Sequence, residues 1–167
     1  GDATGLPGKM TVQYLRWLCQ QDQFAQSGIT LFGEVLRLSD VTVPFCAVAC
    51  ETDHIAAWPD SYRGFSKMGS RSKTFILSQS GHIGGIINPP SKKKYGHYTN
   101  ADLRLSHKDW QDTAAFHQGS WWSRWEGWLK KKSGKRIAVQ DPGSKTFEVL
   151  CAAPGTYVLS GDLVPEK

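Results

Sequence analysis

The sequence has 167 residues, of which 40% are hydrophobic and 21% charged, a composition that excludes a disordered chain and suits one ordinary globular domain. No apolar run approaches the roughly 18 residues that a membrane-spanning helix needs, so we expect no transmembrane segment. The net charge of +5 favours anionic partners. Because no recognised motif accompanies the two short lysine runs, we expect no nucleic-acid binding.

The cysteines give no sign of a disulfide framework. Cys19, Cys46, Cys50 and Cys151 lie mostly in apolar surroundings, which favours reduced thiols in a cytoplasmic protein. The spacing of Cys46, Cys50 and His54 invites comparison with a zinc site, but residues four apart on a strand lie roughly 13 Å from each other. Two such thiols cannot share one metal, so we expect no metal site. We also expect no bound cofactor.

The first half of the chain predicts a helix, a hairpin and a buried strand. Apolar residues at helical spacing indicate a helix over residues 9–24, after a turn-rich lead-in. Alternation over residues 29–43 predicts two short strands around a turn. Residues 43–50 are almost continuously apolar, as is typical of a strand buried on both faces. This strand ends in a polar cluster that contains Asp53.

A helix and a second strand follow the polar cluster. The helix is indicated by apolar side chains at steps of four, three and three: Trp58, Tyr62, Phe65 and Met68. Residues 73–78 predict the strand, after which Gly81 is expected to let the backbone turn and His82 stands at the strand's carboxyl end. Residues 91–119 are polar and weakly patterned, which predicts an irregular segment that wraps a surface or serves a site.

The last predicted element is a helix with Ser120 as its N-cap, tryptophans along one face and a stop near Gly134. The remainder, rich in proline and glycine, predicts a tail along the surface. No repeat and no linker divides the sequence. We therefore expect residues 1–167 to form a single α/β segment in which only two core strands are clear.

Two residues whose side chains can take part in proton transfer are expected to lie close together in this layout. Asp53 and His82 follow consecutive parallel strands, whose carboxyl ends meet at one sheet edge. A catalytic histidine needs a carboxylate to fix its tautomer and stabilise its charged form. Taken singly, an aspartate such as Asp53 is more often a turn or cap residue and a histidine such as His82 more often a structural one, so both interpretations stay open. The chain order does match the last two members of an α/β-hydrolase triad, which runs nucleophile, acid, histidine.

The first member of such a triad is not visible. A nucleophile elbow needs a Gly-x-Ser-x-Gly or Gly-x-Cys-x-Gly turn, and none of the four cysteines has glycines at both required positions. His54 is expected to point away from Asp53. The remaining histidines, His97, His107 and His117, lie in the irregular region without evident partners.

Several short boxes, in chain order, closely resemble the C-terminal part of the polyhydroxyalkanoate synthases, the poly(3-hydroxyalkanoate) polymerases. The boxes are Leu6-Pro7-Gly8, Tyr14-Leu15-Arg16, Asp53-His54-Ile55 with Trp58, Ser80-Gly81-His82-Ile83, Ile87-Asn88-Pro89-Pro90, Gly119-Ser120-Trp121-Trp122 and Ala153-Pro154-Gly155-Thr156-Tyr157-Val158. The similarity runs over nearly the whole chain. This family joins (R)-3-hydroxyacyl units from their coenzyme A thioesters into a polyester and releases coenzyme A.

The resemblance implies the C-terminal portion of an α/β-hydrolase fold, with parallel strands, flanking helices and an incomplete sheet. It implies that Asp53 and His82 belong to a Cys-His-Asp triad whose cysteine elbow is missing here, so this final third of a synthase should be inactive alone. The implied partners are (R)-3-hydroxyacyl-CoA and the growing polyester, with a homodimer of synthase chains left open. The implied location is the cytoplasm or the surface of polyester granules.

Two other functions remain open. A non-catalytic remnant could bind a full-length synthase or a polyester granule through exposed tryptophans and an apolar face. A different α/β-hydrolase, such as a polyester depolymerase, is disfavoured by the boxes at residues 88–90 and 119–122. A Gly-x-Cys-x-Gly motif upstream of Gly1 would favour the synthase over the remnant.

Overall fold

The computed structural model describes residues 5–156, and the chain divides into two units between Lys132 and Ser133, each described by itself. Residues 1–4 of the predicted lead-in lie outside the described residues. The end of the predicted tail, residues 157–167, also lies outside them, and with it the last two residues of the closing box.

The first unit begins with helices and a hairpin. Helix α1 (Gly8–Tyr14) continues into a π-helical turn over Leu15–Gln20, and helix α2 (Gln23–Gln26) follows. The predicted helix is therefore present but interrupted. Strands β1 (Ile29–Leu31) and β2 (Glu34–Leu36) then pair antiparallel, which confirms the predicted hairpin.

A four-stranded sheet is the centre of the unit. Its strands, in spatial order, are β3 (Phe45–Cys50), β4 (Lys73–Ser78), β5 (His97–Thr99) and β6 (Ala115–His117). Strands β3 and β4 are parallel, whereas β5 and β6 join antiparallel. The two predicted core strands are confirmed, but the sheet is mixed where the sequence predicts parallel strands.

Two sequence predictions about this sheet are wrong. Residues 91–119 contain β5, β6 and helix α4 (His107–Asp112) instead of only irregular chain. Three-residue strands are too short to show alternation, and α4 has one buried residue, Trp110. Strand β3 is buried on both faces only at Ala49 and Cys50. It is an edge strand of the sheet and pairs only with β4 among the described residues.

An aromatic cluster covers one face of the sheet. Helix α3 (Trp58–Ser66), which confirms the predicted helix, contributes its buried face together with α4. The ring of Phe75 lies 5.0 Å from that of Tyr62 and 5.3 Å from that of Trp110, both edge-on. Edge-to-face aromatic pairs of this kind add to the energy of apolar burial.

The opposite face of the sheet carries polar side chains. Leu77 enters the aromatic cluster, so its neighbour Ser78 points to the second face. His97 is the register partner of Ser78 and shares that face. Helix α5 (Trp122–Lys130) lies over it, since Arg124 donates a hydrogen bond to His97.

The second unit is irregular over its described residues, 133–156, which form turns without a helix or strand. The Ser144 hydroxyl accepts hydrogen bonds from the N–H groups of Thr146 and Phe147, which forms one local turn. Across residues 5–156, none of the helices is long and apolar enough to cross a membrane.

The aromatic cluster predicts a large stability effect at Trp110, which is fully buried. Trp110→Ala should lower the free energy of unfolding of the 167-residue chain by about 3–5 kcal/mol, because it leaves a cavity among rigid rings. Phe32→Ala is the control, since that ring is fully exposed, and it should change stability by no more than about 0.5 kcal/mol. Urea denaturation measures both, and equal losses would contradict the assigned core.

Candidate functional site

The register of β3 and β4 brings two strand ends together. Cys50 is the register partner of Ser78, and each is the last residue of its strand. The pairing continues beyond the strands, where the Glu51 N–H donates to the Ser78 carbonyl at 2.8 Å. Asp53 and His82 follow within four residues of these ends, which places both at one edge of the sheet.

The side chains of Asp53 and His82 are in direct contact. His82 Nδ1 lies 2.9 Å from Asp53 Oδ2, within the hydrogen-bonding distance predicted from the sequence. The other carboxylate oxygen accepts the backbone N–H groups of Ile55 and Ala56, each at 2.9 Å. The Asp53 side chain is only 8% exposed and the His82 side chain 46%, so the carboxylate lies behind an open imidazole.

The hydrogen bonds to Asp53 decide its charge and the tautomer of His82. The Ala56 N–H is the largest cause that lowers the pKa of Asp53 to about 2, with smaller contributions from His82 and the Ile55 N–H against the opposing effect of burial. The ionised carboxylate can only accept hydrogen bonds, so Nδ1 of His82 carries a proton. Nε2 of the neutral ring then holds a lone pair, and no described residue hydrogen-bonds to it.

The turn that presents His82 is made at Ser80, whereas the sequence predicts it at Gly81. Ser80 has a φ of 76°, and Gly81 is not in the left-handed region. A non-glycine residue there is held by its surroundings. The pKa of the Tyr95 phenol is lowered mainly by a hydrogen bond with the Ser80 hydroxyl, and to a lesser extent by one with Lys94.

Gly85 anchors the loop after His82 against the sheet. A Cβ at this position would lie 2.5 Å from Cys50 Sγ and 2.9 Å from the Gln79 carbonyl oxygen, so only glycine fits. The Gly85 carbonyl accepts hydrogen bonds from the Ser78 hydroxyl and from the Trp121 indole, both at 2.8 Å.

Two adjacent tryptophans clamp this loop from the start of α5. In addition to the hydrogen bond from Trp121 to the Gly85 carbonyl, the Trp122 indole N–H donates a hydrogen bond to the Ile86 carbonyl at 2.9 Å. Ser120 accepts the Trp122 N–H at 3.0 Å, although the N-cap position is Trp121, one residue later than predicted. Sequence reasoning missed this clamp. The signal available in the sequence was the adjacent pair of tryptophans, because indole N–H groups need acceptors when they are buried.

None of the four cysteines, all within the described residues, hydrogen-bonds to His82. Cys50 is buried, and burial, together with the nearby Asp53 charge, raises the pKa of its thiol. Cys46 is partly buried, Cys19 and Cys151 are exposed, and all four are free thiols. Cys50 is therefore a protonated packing residue at neutral pH. Among residues 5–156, no group of three or more possible ligands could hold a metal ion.

The prediction that the other histidines of the polar region lack partners is wrong. His97 and His117 stack with ring centroids 5.1 Å apart and both contact Arg124, while His107 packs edge-on against Trp58. Their partners come from elements distant in sequence, which local patterning does not reveal. His54 is exposed and forms no hydrogen bond with the described residues.

No protein-family model matches the chain. It is 38% identical over 160 residues to the poly(3-hydroxyalkanoate) polymerase subunit PhaC of Cupriavidus necator, and 36% identical over 158 residues to the poly(3-hydroxyalkanoate) polymerase of Methylorubrum extorquens. The PhaC subunit of Rhizobium etli is 32% identical over 158 residues. This chain is related to the poly(3-hydroxyalkanoate) polymerases.

The relationship covers almost the whole chain but only part of each polymerase. The alignments include 95%, 94% and 95% of this chain, and 27%, 26% and 25% of the three relatives in the same order. The chain therefore spans about a quarter of the length of these curated relatives. The family resemblance read from the sequence boxes is confirmed.

The hydrogen bonds of Asp53 predict an unusual titration. Its carboxyl should titrate at about pH 2 in the folded chain. It should stay below the ordinary value in His82→Ala, because the Ala56 N–H is the main cause of the lowering. Carbon-13 NMR of the carboxyl measures this, with His54→Ala as a control that leaves it unchanged. An ordinary pKa in the wild type, or a complete return to it in His82→Ala, would contradict the geometry.

The same shift sets the pH dependence of stability. A carboxyl whose pKa falls on folding contributes stability that is complete above its unfolded pKa of about 3.9 and is lost as the pH falls through the folded pKa. The stability difference between wild type and Asp53→Asn should shrink in the lower window, between about pH 4 and 2, as the carboxyl becomes protonated. A difference that stays constant through the lower window would count against the shift.

Proposed function

We propose that this chain is the C-terminal, histidine-bearing part of the α/β-hydrolase domain of a poly(3-hydroxyalkanoate) polymerase. The complete enzyme is then an acyltransferase that polymerises (R)-3-hydroxyacyl-CoA and releases coenzyme A. The observation that carries this proposal is the contact of His82 with Asp53 at adjacent parallel strand ends, with Nε2 open. The relatives are poly(3-hydroxyalkanoate) polymerases, which supports the class of product.

In this proposal His82 is the general base and acid. Nε2 takes the proton of a cysteine thiol that lies outside these 167 residues, and the thiolate attacks the thioester carbonyl. The bond from carbon to the coenzyme A sulfur breaks, and the leaving thiolate receives that proton. Nε2 next takes the proton of a 3-hydroxyl group as its oxygen attacks the acyl-enzyme. An ester forms, and the cysteine leaves and is reprotonated.

Asp53 is the positioning partner in this scheme. Its two backbone hydrogen bonds hold the carboxylate in place, so it fixes the Nδ1–H tautomer and stabilises the imidazolium formed after each proton transfer. The chemistry requires no metal and no cofactor besides the coenzyme A thioester, which is a substrate.

Apolar surface around the pair suits a polyester product. Ile55, Ile83 and Ile87 are exposed and lie within five residues of Asp53 or His82 in sequence. An acyl or polyester chain can cover such side chains and remove them from water. This supports a growing polyester as the partner. The proposal places the action in the cytoplasm or at the surface of polyester granules.

The proposal is tested in a full-length polymerase that carries this segment. His82→Ala should lower coenzyme A release by about a hundredfold or more, because the general base is lost. Asp53→Asn should also slow release severely, because the tautomer is no longer fixed. His54→Ala is the matched control, since the neighbouring histidine is exposed and unpartnered among the described residues, and should keep near-normal turnover.

The isolated chain supplies the second arm of the test. It should release no coenzyme A from (R)-3-hydroxybutyryl-CoA above the uncatalysed rate, because none of its cysteines is placed beside His82. Near-normal turnover of His82→Ala in the polymerase would contradict the assigned base. Turnover by the isolated chain that disappears with Cys50→Ala would contradict an external nucleophile.

A further inference from the structure

The loop that presents His82 is closed by its own backbone hydrogen bonds. The Gly85 N–H donates to the Gly81 carbonyl at 2.8 Å, and the Ile87 N–H donates to the Ile83 carbonyl at 2.8 Å. The first of these turns spans His82, and the second begins directly after it. A movement of Gly85 is therefore transmitted through these turns to the backbone of the histidine.

The start of the loop is fixed to the segment that carries the acid. The Thr52 N–H donates to the Ser80 carbonyl at 3.1 Å, one residue before Asp53 and two residues before His82. This hydrogen bond joins the two turns ahead of the contact between their side chains. It holds only one end of the loop, so the orientation of the imidazole also depends on what holds the other end.

The far end of the loop is held by three side chains that donate to two adjacent carbonyl groups. The Ser78 hydroxyl and the Trp121 indole both donate to the Gly85 carbonyl at 2.8 Å, which occupies both lone pairs of that oxygen. The Trp122 indole donates to the Ile86 carbonyl at 2.9 Å. Because Ser78 ends β4 and the tryptophans stand at the start of α5, the loop is fixed between sheet and helix.

Helix α5 is a fixed support for the two indoles. Two residues beyond Trp122, Arg124 Nε donates to His97 Nε2 at 3.3 Å, and His97 belongs to β5, so the helix is attached to the sheet independently of the loop. The ring of Trp125 packs edge-on against that of Trp121, with centroids 6.2 Å apart. A tryptophan side chain has only two rotatable bonds, so a fixed helix also fixes the indole N–H.

The two indoles act at a distance from the proton transfer itself. Among the described residues, neither indole is hydrogen-bonded to Asp53 or His82, and an indole N–H can only donate. Their effect on the pair therefore passes through the backbone of the loop. A misplacement of about 1 Å caused far from the chemistry can lower a rate on the order of a hundredfold.

We propose that Trp121 and Trp122 are positioning residues for His82. By holding the carbonyl groups of residues 85 and 86, they keep Nδ1 of the imidazole on Asp53 and Nε2 directed at the reacting groups. The inference rests on the proposed function in one respect, because it takes His82 as the general base of the polymerase.

Proton NMR of the 167-residue chain tests the positioning without use of activity. Trp121→Phe removes the indole donor and keeps an aromatic ring. The downfield Nδ1 proton of His82, which reports its hydrogen bond to Asp53, should then exchange with water about tenfold faster, because one anchoring hydrogen bond is lost. Trp122→Phe should act in the same way. Trp125→Phe is the matched control, since its indole donates no hydrogen bond within the described residues, and it should leave the signal unchanged.

Turnover in a full-length polymerase that carries this segment is the second measurement. Per folded molecule, Trp121→Phe should lower kcat about tenfold and change KM less than about twofold, because the indole holds the base and not the substrate. Ser78→Ala removes the other donor to the same carbonyl and should show the same split. Since each donor supports the other, the double variant should lose more than the product of the single losses. Trp125→Phe should keep both constants near normal.

The two measurements separate this inference from the proposed function. Near-normal turnover in His82→Ala, together with faster exchange of the Nδ1 proton in Trp121→Phe, would contradict the proposed function and support the positioning. The positioning is overturned if Trp121→Phe leaves the Nδ1 proton as in the wild type, or if Trp125→Phe perturbs it equally. It is also overturned if His82→Ala abolishes turnover while Trp121→Phe keeps a normal kcat, or if the loss appears in KM alone.

Discussion

The in-register parallel pairing of β3 and β4 is the constraint on which the rest of this structure depends. Six residue pairs, from Phe45 and Lys73 to Cys50 and Ser78, bring both strands to an end at the same edge. A slip of one residue would turn every side chain of one strand to the other face. It would also separate Asp53 from His82. The aromatic cluster supports this register, because Leu77 and Ala49 are partners that both face it.

One face of the sheet carries the aromatic core that stabilises the unit, and the other face carries polar contacts. One face is closed by aromatic rings from α3 and α4, which supply the buried apolar area that this unit needs. The other face meets α5 through polar contacts. The first residues of α5 clamp the loop after His82, and Arg124 in the next turn contacts His97. A shift of α5 would therefore move the loop that follows His82.

The sequence predicts the parts of the site that depend on regular elements. Strands of six residues and a nine-residue helix leave clear patterns, so the positions of Asp53 and His82 follow from chain order and handedness. The contacts between segments that are distant in sequence cannot be predicted in this way. The stacking of His97 on His117 requires β5 and β6, each too short to show alternation. The turn at Ser80 depends on its surroundings, since its φ of 76° is one that glycine adopts more readily.

The central claim is that Asp53 fixes His82 with its Nε2 free to move protons. Nitrogen-15 NMR of the imidazole in the 167-residue chain, at a pH where the ring is neutral, tests it directly. The account predicts the Nδ1–H tautomer, with a downfield Nδ1 proton that disappears in Asp53→Ala. A neutral ring with the proton on Nε2, or a tautomer ratio that Asp53→Ala does not change, would contradict it.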